Sequence, residues 1–185
     1  QQAYRERFGI GKHSTARQVK TVIGTEVWDN SFSFSLVRNP YSRSLSLFNF
    51  LRKWESPDAK FNKKMRKFSS FEKFILSGLW DETDGPDKMF LPQSHWLVDG
   101  ENPEKIIVDF VGKLETIDRD IETIRNQARL PVLNGDKKEN SVPNINRSTF
   151  MSKSDNWSDA VISKVQEKYA SDFKLFDYSP ERISS

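Results

Sequence analysis

The stretch from Phe32 to Phe48 constrains this chain more than any other. It opens with Phe32, Phe34, Leu36 and Val37, an apolar run of a length that suits a buried strand of an α/β sheet. Asn39-Pro40 stops the run, because proline has no N–H to give to a ladder and Asn-Pro favours a turn. Leu45, Phe48 and Leu51, with Trp54 beyond them, then recur at helical spacing. Strand, turn and helix in that order leave Arg38 at the carboxyl end of the strand. Ser42, Ser44 and Ser46 lie at the start of the helix. Ligands of open α/β sheets bind outside the carboxyl ends of strands. A helix N-terminus there adds free N–H groups and the positive end of a dipole. An arginine fork with serine hydroxyls at that place is, in physical terms, a phosphate site.

The rest of the chain predicts an α/β fold with a parallel sheet, in one domain over residues 1–185. Residues 1–13 read as a basic loop with Gly9 and Gly11. Ser14 is the expected N-cap of a helix through Ala16, Val19, Val22 and Ile23, with Gly24 as its C-cap. Pro57 breaks the segment 52–67, which reads as a loop with a short helix. Ser69 with Glu72 predicts a capping box before a helix at 71–79, whose Phe71, Phe74 and Ile75 face inward. Residues 81–104 are acidic, rich in Gly and Pro, and read mostly as loop. Ile106 to Val111 predicts the second buried strand. Ile117, Ile121, Ile124 and Ala128 mark a helix that Pro131 ends, and Val161, Ile162, Val165, Tyr169 and Phe173 mark the last one. Residues 133–156 read as polar loop.

Charge is uneven although the net is only +3. Residues 1–76 hold 15 Lys/Arg against 6 Asp/Glu, and residues 77–185 hold 14 against 20. A basic first part suits a polyanionic partner, whether a phosphorylated cofactor, an anionic glycan or a nucleic acid, or is a solvated face. The cations of 52–67 lack interleaved stacking aromatics and any recognition module, so no nucleic-acid partner is expected. Cysteine is absent, which excludes thiolate chemistry and points to a cytoplasmic protein. Two histidines and scattered acids make no metal-ligand cluster, so no metal is expected. No apolar run is long enough to span a bilayer.

Val37-Arg38-Asn39-Pro40-Tyr41-Ser42-Arg43-Ser44-Leu45-Ser46 resembles the 3'-phosphate-binding motif of sulfotransferases, in particular the carbohydrate (family 2) type. Several further segments, in order, are similar to bacterial members. They are Lys12-His13-Ser14-Thr15-Ala16-Arg17, then Gln93-Ser94-His95-Trp96-Leu97, then Val108 to Thr116, and the ending Asp172 to Tyr178. Leu133-Asn134 through Asn146-Arg147-Ser148 resembles a late loop that closes over the nucleotide. The resemblance implies a three-layer α/β/α, P-loop-like fold and O-sulfotransfer from 3'-phosphoadenylyl sulfate (PAPS) to a hydroxyl of a carbohydrate. Adenosine 3',5'-bisphosphate would be the product. The family's opening strand and 5'-phosphosulfate loop have no counterpart. The eight glycines make neither G-x-x-x-x-G-K-[ST] nor G-x-G-x-x-G, so the chain is expected to begin after that loop.

The resemblance assigns the 3'-phosphate to Arg38 and Ser46. Arg43 either touches phosphate or pins the turn through an ion pair. Arg147 and Ser148 reach the nucleotide on resemblance alone. His13 is the candidate general base, since an imidazole, with an ordinary pKa of about 6.5, offers a neutral acceptor near pH 7. Lys12 is a candidate to offset sulfate charge, and His95 a candidate acceptor contact. Two alternatives stay open: a P-loop kinase-like phosphotransferase, and a non-catalytic basic domain that binds glycans.

Overall fold

The computed structural model describes residues 2–55, 59–130 and 157–181. In chain order the first elements are α1 (Gln2–Phe8), α2 (Ala16–Ile23), α3 (Thr25–Asp29), β1 (Phe34–Val37) and α4 (Pro40–Lys53). Next come α5 (Ala59–Lys67), α6 (Phe71–Leu76), α7 (Leu79–Glu82), β2 (Phe110–Lys113) and α8 (Ile117–Gln127), with α9 (Asp159–Lys168) and α10 (Ala170–Leu175) last. Short 3-10 turns lie at Pro86–Lys88, Gln93–Trp96 and Leu114–Thr116. The protein is helix-rich with a small parallel sheet. Its chain divides into two compact units, one of residues 1–38 with 93–146, the other of 39–92 with 147–185.

In the first unit β1 pairs with β2 in parallel, from Phe34 opposite Phe110 to Val37 opposite Lys113. The second strand therefore lies later than the apolar run at 106–111 predicts. Asp109 sets the register. Its carboxylate accepts from Ser33 N–H and Ser33 Oγ, both at 2.7 Å, while Phe110 N–H donates to Ser33 O at 3.1 Å. Ile106 forms an antiparallel bridge to Val98 instead. Residues 2–8 are helical rather than loop, and Gly9, at φ +67, follows their end. Thr15, not Ser14, caps α2: it exchanges bonds with Gln18 in a capping box, and Gly24 closes the helix as expected. A Cβ on Gly112 would lie 2.8 Å from Leu36 Cδ2 and 3.1 Å from Asp120 Cβ, so the glycine lets α8 and Leu36 pack closely on β2.

Asp120 joins β2 to α8. It is 4% exposed and accepts from Lys113 N–H at 2.7 Å, Thr116 Oγ1 at 2.7 Å and Arg119 Nε at 3.1 Å. Burial alone pushes its carboxyl up. The Lys113, Thr116 and Arg119 bonds and the Arg119 charge outweigh that and hold it below the usual range. A carboxylate with a lowered folded pKa stabilises the fold above its unfolded pKa of about 3.9, and that stability is lost as pH falls through the folded value. Asp120→Asn is expected to cost about 1.5–3 kcal/mol at pH 7 and to flatten the loss of stability below about pH 4. Urea titrations at pH 7 and pH 3 check this.

The second unit packs an aromatic core. Tyr41, Phe48, Leu51, Phe61, Met65, Phe71, Phe74, Trp80, Phe90 and Tyr169 are buried within it. Ser70, not Ser69, caps α6, accepting from Lys73 N–H at 3.2 Å. Glu72 is drawn off to accept from Ser158 Oγ at 2.5 Å, so the expected capping box does not form. The last helix breaks at Tyr169 (φ −111, ψ 26), separating α9 from α10.

Candidate functional site

β1 delivers Arg38 at its carboxyl end, as the apolar run and its Asn39-Pro40 stop predict. The side-chain amide of Gln93 brackets the Arg38 peptide: Arg38 N–H donates to Gln93 Oε1 at 3.0 Å, and Gln93 Nε2 donates to Arg38 O at 2.8 Å. One side chain thus replaces a rung of ladder and fixes the orientation of the Arg38 backbone within the first unit. Sequence reasoning placed Gln93 in a motif without giving it a role.

In the second unit α4 starts with Asn39 as N-cap and Pro40 at N1. Asn39 Oδ1 accepts from Tyr41 N–H at 3.0 Å and Ser42 N–H at 3.5 Å. Proline has no N–H, so the first turn does not offer the free donors expected of it. The three serines differ as well. Ser42 Oγ donates to Asn39 O at 3.1 Å, and the buried Ser44 Oγ donates to Pro40 O at 2.6 Å. Ser46, one turn further on and half-buried, makes no side-chain hydrogen bond among the described residues. Of the three hydroxyls, Ser46 is the one still uncommitted.

Arg43 sits on the same helix. Its Nη2 donates to Met89 O at 2.9 Å and Leu91 O at 3.0 Å, and its guanidinium lies 5.0 Å from the Tyr169 ring centroid. The pin expected from an acid comes instead from two carbonyls and a ring. Its Nη1 is buried and has no hydrogen-bond partner among the described residues. Burial pushes the Tyr169 hydroxyl up to about 12; the Arg43 charge opposes this and Asp172 adds to it. Tyr169 therefore stays a neutral donor, to Phe90 O at 3.3 Å.

A cavity of about 550 Å³ lies in the first unit. Lys12, His13, Trp28, Phe32, Phe34 and Trp96 line it with their neighbours. His13 stands in a turn in which Gly11 N–H donates to Ser14 Oγ at 2.8 Å and Ser14 N–H donates to Gly11 O at 3.0 Å. The Thr15 cap follows at once. The His13 and Trp96 ring centroids are 6.3 Å apart. The structure thus brings together the neighbours Lys12 and His13 with Trp96, which is distant from them in sequence. His95 is exposed, edge-on to Trp96 at 5.2 Å, and is not among the lining residues. Phe34, read from sequence as part of a buried strand, is a wall of the cavity, and so is Trp28. Arg147 and Ser148 lie outside the described residues. Among the described residues no group of three or more His, Asp or Glu is placed to hold a metal ion, and no helix is long and apolar enough to cross a membrane.

The profile of the sulfotransferase family matches residues 3–179. That span takes in the Arg38 turn, the His13 cavity and the aromatic core, and the chain belongs to this family. No curated protein and no solved structure matches it.

Proposed function

We propose that the chain is an O-sulfotransferase that takes its sulfuryl group from PAPS and delivers it to a hydroxyl of a carbohydrate. The observation that carries this reading is the family match across both units, with the run from Val37 to Ser46 inside it. On the same ground the two units act as one sulfotransferase domain, and the two-stranded parallel sheet belongs to a three-layer, P-loop-like α/β/α fold. The donor, when bound, supplies the sulfuryl group and a phosphate leaving group. Arg38 offers a guanidinium fork and Ser46 an uncommitted hydroxyl to the 3'-phosphate. Lys12 offsets sulfate charge. His13 takes the proton of the acceptor hydroxyl as its oxygen bonds to sulfur and the bond from sulfur to the phosphate oxygen breaks. The flat faces of Trp28, Phe32, Phe34 and Trp96 suit the C–H face of a sugar ring, which supports a carbohydrate acceptor in the His13 cavity.

Calorimetric titration with adenosine 3',5'-bisphosphate tests the donor assignment. Arg38→Ala is expected to weaken binding about 30-fold, the loss of about 2 kcal/mol typical of a hydrogen bond to a charged group. Adenosine 5'-phosphate, which lacks the 3'-phosphate, should bind both proteins equally weakly. An absence of binding, or binding unchanged by Arg38→Ala, would overturn the assignment.

A further inference from the structure

Between Arg52 and Lys73 the second unit carries eight Lys/Arg and three Asp/Glu. Helix α5 concentrates that charge and gives it a direction. Phe61 and Met65 are 8% and 0% exposed, and they key the helix onto the core. Lys60, Lys63, Lys64 and Lys67 stand at i, i+3, i+4 and i+7, all exposed. That spacing puts them on one face of the helix along about 10 Å of its axis. Among the described residues Lys63, Lys64 and Lys67 make no ion pair. Arg66, on the flank, pairs with Glu55 at 3.7 Å. Like charges at these spacings repel, and a multivalent anion laid along the face relieves the repulsion among Lys63, Lys64 and Lys67 at once.

We propose that this lysine face docks an anionic polysaccharide, one bearing carboxylate or sulfate groups along its length. The polyanion chemistry follows from the face alone; the choice of a polysaccharide rests on the carbohydrate-acceptor reading above. Lysine ammoniums are hydrated point charges, suited to a flexible polyanion that presents no fixed fork geometry. A bilayer would need an apolar stripe beside the charges, and Phe61 and Met65, the large apolar residues of this helix, are buried in the core. A single-stranded nucleic acid would need exposed rings for stacking, and no exposed ring interleaves the four lysines.

The test compares the wild-type chain with a variant in which Lys60, Lys63, Lys64 and Lys67 are all glutamine, and one in which all four are arginine. The probes are dextran sulfate, neutral dextran and duplex DNA over a range of salt, with adenosine 3',5'-bisphosphate titrated in parallel. Wild type is expected to bind dextran sulfate and not dextran. The glutamine variant should lose about tenfold or more at about 50 mM salt, and its slope of log affinity against log salt should fall by about 3, the value four contacts give on a flexible polyanion. The arginine variant should keep the binding. Equal binding of dextran sulfate by the glutamine variant overturns the proposal, as does tighter binding of duplex DNA than of dextran sulfate. Lysine-dependent binding of dextran sulfate by a protein that ignores adenosine 3',5'-bisphosphate supports the docking face and overturns the donor reading alone.

Discussion

Replacing His13 with glutamine is expected to slow turnover by about 10²- to 10⁴-fold, the range that positioned general acid–base groups contribute. Binding of adenosine 3',5'-bisphosphate should be unchanged. The expectation rests on position. The Gly11–Ser14 turn closes around His13, and the Thr15–Gln18 capping box fixes the backbone that follows it. The ring shares a cavity wall with Trp96 and Lys12. Glutamine keeps a polar side chain there but cannot accept a proton near neutral pH, so the loss should fall on kcat and leave KM for the donor alone. Release of adenosine 3',5'-bisphosphate from PAPS, with a polysaccharide acceptor present, gives the rate. A loss of less than about tenfold, below what such a base contributes, would take His13 out of the mechanism.

Phe74→Ala should be the most damaging single change to the fold, at about 3–5 kcal/mol. Phe74 is 0% exposed. Its ring meets Phe48 at 5.5 Å, Phe68 at 5.5 Å, Trp80 at 5.8 Å and Phe90 at 5.7 Å between centroids. Truncation removes apolar contact on four sides and leaves a void framed by rigid rings, which collapse poorly around it. A domain's whole stability is only about 5–15 kcal/mol, so the variant should be close to unfolding at room temperature. The urea midpoint followed by tryptophan fluorescence reads the effect. Phe74→Leu, which keeps most of the volume, should cost much less. A midpoint unmoved by the alanine would mean that the ring cluster closes over the gap.

The strand and helix around Arg38 were legible because each carries its own period and Asn39-Pro40 punctuates between them. The second strand was displaced because apolar residues run on both sides of Asp109, from Ile106 to Val111, and nothing in their pattern marks where pairing begins. Its register comes from Asp109 bonding to Ser33, which lies 76 positions away. Helix starts were misplaced by one residue at Thr15 and Ser70, where two adjacent residues have the same capping chemistry. The Gln18 amide settles the first. At the second, the partner Glu72 goes to Ser158 instead. The site was legible as segments and not as an arrangement. Lys12-His13 and Trp96 were both singled out, but their sharing one cavity depends on the tertiary fold. The phosphate-ready helix start was over-read, since Asn39 spends on capping the donors that an anion would have used.

The Gln93 clamp has a mechanical consequence. Gln93 and Trp96 belong to the same 3-10 turn, one holding the Arg38 peptide and the other forming a wall of the His13 cavity. Through that turn the peptide of Arg38 is tied to a wall of the His13 cavity. On the proposed reading, the acceptor cavity and the arginine of the donor site are thus joined through four residues of one turn.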